Sequence, residues 1–507
     1  MDLKIFDKKI LIMCVVVFIL GLFARIYTIT LKEDLHQDEA LSVVLSNYSE
    51  YGWSKLPEEN IVFSGKDVKQ MMFWNDSSIK DMFTDIGNLY LYTRDDSHSN
   101  LYYSILRATF TGVDNFDIKQ TIYRGCAVNL IAYCLAFFFM FKLLALLFKN
   151  QSLIPFGLFV AFLNTGSILN VAYLKPYQLQ ELAFVMVTYY FVRLLKGENI
   201  NPLKISLAIV FSFLTGYYSL IYVGILAIVL FIKNLDKKYL LKITGLSVLF
   251  TTLFYPGYFL GLISYRATET VERFSGFNLF KSFLGIFFFY FKYIFSFILI
   301  IYLVYLLVKI SKQKLSADEK SKDIVLLFVL GLVWSAIILF IAPYKVLRYI
   351  LPIFPIMTLI IPYVVSHFEK KIFPISIICS IVVLNFFVAV QLHKNSEIGK
   401  YVPFSQLDFL RNNLTNDYMF KRDISKPVFV VRPNGENLKI GKVIILPSIA
   451  PYFDDNQKYI FINLNTKVAL NNFYVVFPIF EKSIYTDAKF EKLEKCNKYY
   501  MCGEIKR

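Results

Sequence analysis

Two adjacent carboxylates, Asp38 and Glu39 in the segment HQDEA, are the residues best suited to chemistry in this sequence. A carboxylate in a partly dehydrated cleft can take a proton from a hydroxyl, which is general-base work. The pair also reads as ordinary acids at the start of a surface helix, where unpaired backbone N–H groups attract negative charge. Basic residues at Arg124, Lys175, Lys345 and Arg348 fall near the ends of apolar runs. Cations there could stabilise negative charge on a bound group, although long basic side chains also lie at span ends simply to reach water. His98, Tyr102, Tyr103, Tyr177 and Tyr349 offer aromatic faces and edges to a ligand, and as interfacial aromatics they need no such role. Asp95, Asp96 and His98 in RDDSHSN suit a divalent metal, but a solvated, Asp-capped turn accounts for them better. We read His98 as a substrate contact before a metal ligand, with no cofactor certain and a divalent metal allowed.

These residues must be positioned by membrane helices. Of 507 residues, 56% are hydrophobic and 18% charged, with 51 Phe and 35 Tyr against 3 Trp, and the mean hydropathy is +0.52. This composition excludes a soluble globular enzyme, a disordered chain and a disulfide-rich secreted module. The first apolar run, Ile10 to Thr30, follows Lys4, Lys8 and Lys9, so it reads as an uncleaved anchor with a cytoplasmic N-terminus. A long polar segment follows, placed outside the cytoplasm. Its end, Asn100 to Val113, is short and contains Arg107, which predicts an interfacial helix and not a span. Later apolar runs fall at 122–148, 152–173, 178–195, 203–215, 218–232, 239–262, 282–308, 323–341, 348–366 and 372–391. The stretch from Pro202 to Lys233 would be about 48 Å long as one helix, too long for one perpendicular crossing, so a break is expected at Gly216.

The fold expected is an α-helical polytopic membrane protein of about eleven transmembrane helices. Its transmembrane domain covers 1–391, with a first outer loop at 31–121 that carries interfacial helices and the acid pair. The net charge of +16 is then mainly a topology signal, because Lys and Arg cluster in the turns assigned to the cytoplasm. The outer turn at 263–281 holds Arg266 and Arg273 with Glu269 and Glu272, which suits an exposed helix with paired charges. Beyond the last span, PVFVV, KVIIL, KYIFINL and NFYVVF alternate with turn residues and predict a small outer α/β domain over 392–507. PNGENLKIGKV lacks the spacing and the Ser or Thr of a phosphate loop. Of six cysteines, only Cys496 and Cys502 lie close together in a polar segment, where a disulfide would need an oxidising compartment.

In order along the chain, these features resemble the membrane-integral C-class glycosyltransferases that use polyprenyl-phosphate sugars, among them protein O-mannosyltransferases and aminoarabinose lipid A transferases. The acid pair after the first span matches Asp38-Glu39. The family's His-Pro-Pro-Leu-Tyr-Tyr segment matches His98-Ser-Asn-Leu-Tyr-Tyr103, with Ser99 and Asn100 in place of the prolines. An Arg opening the second span matches Arg124. A Glu-Ala-Arg-x-Tyr-like turn matches Tyr173-Leu-Lys-Pro-Tyr177, with Lys175 where Arg is usual. An Arg-Tyr-Leu-Leu-Pro-like segment matches Arg348-Tyr-Ile-Leu-Pro352.

The resemblance implies transfer of a sugar from a polyprenyl-phosphate carrier to a hydroxyl acceptor on the outer face of a membrane. Asp38 would be the general base and Glu39 would orient it or the acceptor. Arg124, Lys175 and Arg348 would hold the lipid phosphate. The partners implied are the lipid-linked sugar, membrane lipids and an unidentified hydroxyl acceptor, with no nucleic acid. Composition leans bacterial, which makes the membrane the inner membrane and the outer compartment the periplasm. A transporter or lipid flippase is the competing class, and it would more typically place ionisable residues near mid-membrane.

Overall fold

The computed structural model describes residues 6–394 and 425–506, except 33–34, 75–76, 95–97, 114–115, 262–295, 314–320, 343–346, 369, 433–445, 448, 463–471, 479–489 and 496–499. The outer turn at 263–281, Lys345, Asp95, Asp96, Cys496 and most of KVIIL therefore lie outside the described residues.

Along the chain the elements are α1 (Lys8–Thr30), α2 (Gln37–Ser46), β1 (Val62–Ser64), α3 (Gly65–Phe73), α4 (Ile79–Leu91), α5 (Leu101–Thr109) and α6 (Ile118–Leu147). They continue with α7 (Leu153–Phe162), α8 (Thr165–Asn170), α9 (Tyr177–Leu195), α10 (Pro202–Thr215), α11 (Tyr218–Ile232) and α12 (Lys237–Phe254). Further helices include Ser296–Gln313, Ser321–Ile341 and Ile372–Lys394. The strands after them are β2 (Val428–Val431), β3 (Lys458–Ile462), β4 (Asn472–Pro478), β5 (Phe490–Lys495) and β6 (Tyr500–Lys506). The chain divides into two compact units, one of residues 1–31, 90–102 and 126–407, the other of 32–89, 103–125 and 408–507.

The first unit is a helical bundle built for lipid. Helix α1 buries a single stripe, Cys14, Val17, Gly21, Arg25 and Thr28, at the spacing of one helix face. Its other faces expose Ile12, Val16, Ile19, Phe23 and Ile26, an apolar surface that water would not tolerate but hydrocarbon does. Among the described residues, Lys8–Thr30, Ile118–Leu147 and Lys322–Ile341 are long and apolar enough to cross a membrane, and several shorter apolar helices accompany them. The protein is accordingly a multi-pass membrane protein.

Helix α9 is largely enclosed, with fifteen of its 19 residues buried from Tyr177 to Leu194. The break expected at Gly216 is present: α10 ends at Thr215 and α11 starts at Tyr218. A Cβ on Gly216 would lie 2.2 Å from Nε2 of Gln180, whose amide donates to the Thr215 carbonyl at 2.9 Å.

Other apolar runs are less continuous than their hydropathy suggests. The run at 152–173 splits into α7 and α8, because the Asn164 side chain accepts from the Ser167 N–H at 2.9 Å and caps a new helix. The run at 348–366 becomes two 3-10 turns and two short helices around Pro352, Pro355 and Pro362, each proline removing a backbone donor. Helix α5 has 9 residues, about 14 Å and far short of a span.

The second unit contains a six-stranded mixed sheet in the order β1-β3-β2-β4-β6-β5. Central β2, the buried VFVV, pairs in parallel with β3 and β4, and its apolar character on both faces suits that position. Strand β1 comes from the first polar segment and pairs antiparallel with β3, Val62 opposite Ile460. Helix α3 follows it directly, and a Cβ on Gly65 would meet the Asp454 carbonyl oxygen. Cys502 on β6 is disulfide-bonded, whereas Cys14, Cys126, Cys134 and Cys379 are free.

Candidate functional site

In the first unit the candidate residues gather at the start of α9. Between α8 and α9 the chain runs through Val171–Pro176 without regular helix, and every residue of this loop is buried. Buried carbonyls need donors. The Asn129 amide of α6 supplies them, donating to the Val171 carbonyl at 2.9 Å and the Tyr173 carbonyl at 2.8 Å. So held, the loop presents Tyr173 and Lys175, and α9 opens with Tyr177.

The Tyr173 ring stacks on Tyr177 with centroids 5.7 Å apart. Its hydroxyl accepts from Nη1 of Arg348 at 2.7 Å, and the guanidinium lies 5.6 Å from the Tyr349 ring. Tyr349 meets Tyr177 edge-on at 6.3 Å, and His98 does the same at 5.8 Å. His98, Tyr173, Tyr177, Arg348 and Tyr349 therefore form one cluster, with Tyr177 meeting three of the others. Lys175 is 4% exposed and Tyr102 fully buried. The segment that carries His98 and Tyr102 is fixed nearby: the Asn100 amide donates to the Phe254 carbonyl at 3.2 Å, and Tyr255 donates to the Thr93 hydroxyl at 3.2 Å.

A half-buried guanidinium among tyrosine rings is well suited to an anionic oxygen. Arg offers a planar fork of donors, and low local polarity strengthens its attraction for phosphate. Aromatic faces and edges beside it can accept a sugar or an isoprenoid chain.

The second unit separates the two adjacent acids. His36 caps α2, its Nδ1 accepting from the Asp38 N–H at 3.2 Å. Glu39 completes the capping box by accepting from the His36 N–H at 2.6 Å. The same carboxylate oxygen binds Nζ of Lys32 at 2.9 Å, and both side chains are fully buried. Glu39 thus serves the start of the helix.

Asp38 keeps 29% of its side chain exposed, with Oδ2 at 3.8 Å from Nδ1 of His36. A second support reaches this segment from the C-terminal part of the chain. The Tyr452 hydroxyl accepts from the Leu35 N–H at 3.0 Å and donates to the Leu35 carbonyl at 3.2 Å.

Also in this unit, Arg124 is half-buried and donates through Nη1 to the Thr109 carbonyl. Tyr103 is fully buried. Arg107, read from sequence only as the charge that interrupts an apolar segment, binds Asp85 at 2.7 Å and Asp81 at 3.4 Å. Among the described residues no group of three or more His, Cys, Asp or Glu is placed to hold a metal ion.

Three buried residues of the first unit, Tyr173, Arg25 and Glu181, were not singled out from sequence. Tyr173 had a signal, since it opens the Tyr173-Leu-Lys-Pro-Tyr177 turn. Arg25 and Glu181 also had one, as ionisable residues inside apolar runs.

No family model and no curated protein sequence matches the chain. Solved structures do. ArnT from Cupriavidus metallidurans bound to undecaprenyl phosphate superposes with a TM-score of 0.53 over 97% of each chain at 9% identity. Its apo state gives a TM-score of 0.47 at 8% identity over the same shares. The chain has the fold of the membrane-integral C-class glycosyltransferases, as the order of its motifs implied.

Proposed function

We propose that the protein transfers a sugar from a polyprenyl-phosphate carrier to a hydroxyl acceptor at the outer face of a bacterial inner membrane. Asp38 takes the proton of the acceptor hydroxyl while its oxygen attacks the anomeric carbon. The bond from that carbon to the phosphate oxygen breaks, and the polyprenyl phosphate leaves with the electron pair. Configuration inverts, because attack and departure occur on opposite faces.

Arg348, Lys175 and Arg124 stabilise the phosphate charge. His98, Tyr102, Tyr103, Tyr177 and Tyr349 line the substrate. Glu39 orients Asp38 indirectly, by fixing the first turn of α2 through Lys32 and the His36 N–H. The observation that carries this reading is the Arg348–Tyr173–Tyr177 cluster, which occurs in a fold shared with a protein solved with undecaprenyl phosphate bound.

The test is transfer of radiolabelled sugar by the full chain in proteoliposomes supplied with a polyprenyl-phosphate sugar and an acceptor extract. Asp38→Asn should lower kcat by about 10²–10⁴-fold, the range for removing a general base. Full transfer by that variant would rule out Asp38 as the base. Vectorial uptake without transfer would replace the reading with transport.

A further inference from the structure

The first unit contains a buried charge arrangement that the proposed chemistry does not use. Arg25, near the end of α1, is fully buried. Its Nη1 donates to the Gly21 and Phe162 carbonyls at 3.1 and 3.0 Å. Its Nη2 donates to the Ser167 carbonyl at 3.1 Å and to the Ser167 hydroxyl at 2.9 Å. The guanidinium rests 3.7 Å above the Tyr133 ring. Gly21 permits this packing, since a Cβ there would lie 2.3 Å from the Tyr133 hydroxyl.

The Ser167 hydroxyl in turn faces Glu181, at 3.5 and 3.4 Å from its two carboxylate oxygens. Gln178 donates to the same carboxylate at 2.8 Å. Ser167, Gln178 and Glu181 are all fully buried.

Placement gives this network its meaning. Ser167 sits on α8 and Glu181 on the first turns of α9, so together they form the two feet of the 171–176 loop. That loop bears Tyr173 and Lys175, and Glu181 lies one turn below Tyr177 on the same face of α9. Arg25 therefore ties α1 to the α8 foot directly and to the α9 foot through the Ser167 hydroxyl, while Asn129 holds the loop's carbonyls from α6.

For stability alone, an apolar set of similar volume would serve as well as buried charged groups linked through a hydroxyl. Fixed directions are what charged and hydrogen-bonded groups add. We propose that Arg25, through Ser167 and Glu181, is a positioning residue for the lipid phosphate: it sets the 171–176 loop so that Tyr173 holds Arg348 in its binding orientation. This inference rests on the function proposed above and assigns no contact between Arg25 and substrate.

The test measures binding of undecaprenyl phosphate to the full chain in nanodiscs, alongside the melting temperature. Removing Arg25 outright risks misfolding, so Ser167 carries the experiment. Ser167→Ala should weaken binding about tenfold, equivalent to about 1.4 kcal/mol, with melting preserved to within about 1 °C, because a chain this long shifts little for a small loss of stability. Ser167→Thr, which keeps the hydroxyl, should restore binding. Ser247→Ala, which removes a buried hydroxyl bonded only within α12, should leave it unchanged.

In transfer assays Ser167→Ala should raise the donor KM and leave the acceptor KM alone. Unchanged binding in Ser167→Ala, or weakened binding that simply tracks lost stability in both Ser167 variants, would overturn the positioning role. No binding of undecaprenyl phosphate by the unmodified chain would instead overturn the functional reading beneath it.

Discussion

The loop before α9 and the segment before α2 solve the same problem by different means. Each is irregular backbone that delivers proposed functional residues to a helix N-terminus. The 171–176 loop is held by the neutral amide of Asn129, aimed at two of its carbonyls, while the guanidinium of Arg25 fixes the Ser167 carbonyl on the helix before it. The 35–39 segment is held by a dry Lys32–Glu39 pair, a capping box and the Tyr452 hydroxyl.

The contrast follows from surroundings. A span offers no water to satisfy stray carbonyls, so donors must be supplied to each one. Beside a helix N-terminus the demand is for acceptors, which a carboxylate meets best.

The largest effect should come from splitting the ion pair. Glu39→Ala or Lys32→Ala leaves an uncompensated buried charge or its empty partner site and should destabilise the second unit by about 3–5 kcal/mol. Lys32→Met combined with Glu39→Gln should cost less than either alanine variant, since no lone charge remains. Thermal or denaturant unfolding followed by hydrogen exchange across 35–46 would measure both. Asp38→Asn should leave this stability intact, so a matching loss there would erase the distinction between the adjacent acids.

Next in size, Asn129→Leu strips donors from two buried carbonyls and should cost about 2–3 kcal/mol. It should expose 171–176 to exchange without changing 35–46. Gly65→Ala should cost about 1–3 kcal/mol through overpacking, because its Cβ meets backbone at Asp454.

The smallest effect is at the surface. Ser64→Ala removes the N-cap of α3 and should cost about 1 kcal/mol. Ser64 also holds the Asp67 carboxyl below its ordinary value of 3.8, first through its hydroxyl and then through its N–H. A depressed folded pKa stabilises above the unfolded value and is lost as pH falls through the folded one. The difference between Ser64→Ala and the unmodified chain should therefore shrink on acidification below 3.8, by a small amount because Asp67 is exposed. A difference independent of pH would place the whole cap in the serine.

What the sequence disclosed depended on whether the cause was local. The break at Gly216 followed from length, because 32 residues from Pro202 to Lys233 exceed a bilayer. The split of 152–173 had its signal in Asn164, Gly166 and Ser167, but mean hydropathy conceals a cap inside an apolar run.

The acid pair was legible as a pair. Its division of labour was not, because burial of Glu39 depends on Lys32 turning back onto it. Arg348 was legible as a candidate cation, whereas its bond to Tyr173 joins residues 175 positions apart. Pairing of β1 with β3 is likewise invisible to periodicity, since three residues carry no pattern of their own.

The bond between Leu35 and Tyr452 spans 417 residues, and that separation has a consequence during synthesis. At roughly 5–20 residues per second, the proposed catalytic segment emerges about 20–80 s before the tyrosine that steadies it. A nascent or prematurely terminated chain can already carry Asp38 while lacking its brace. Steadying of the 35–39 segment therefore waits until the part of the chain around Tyr452 has been made.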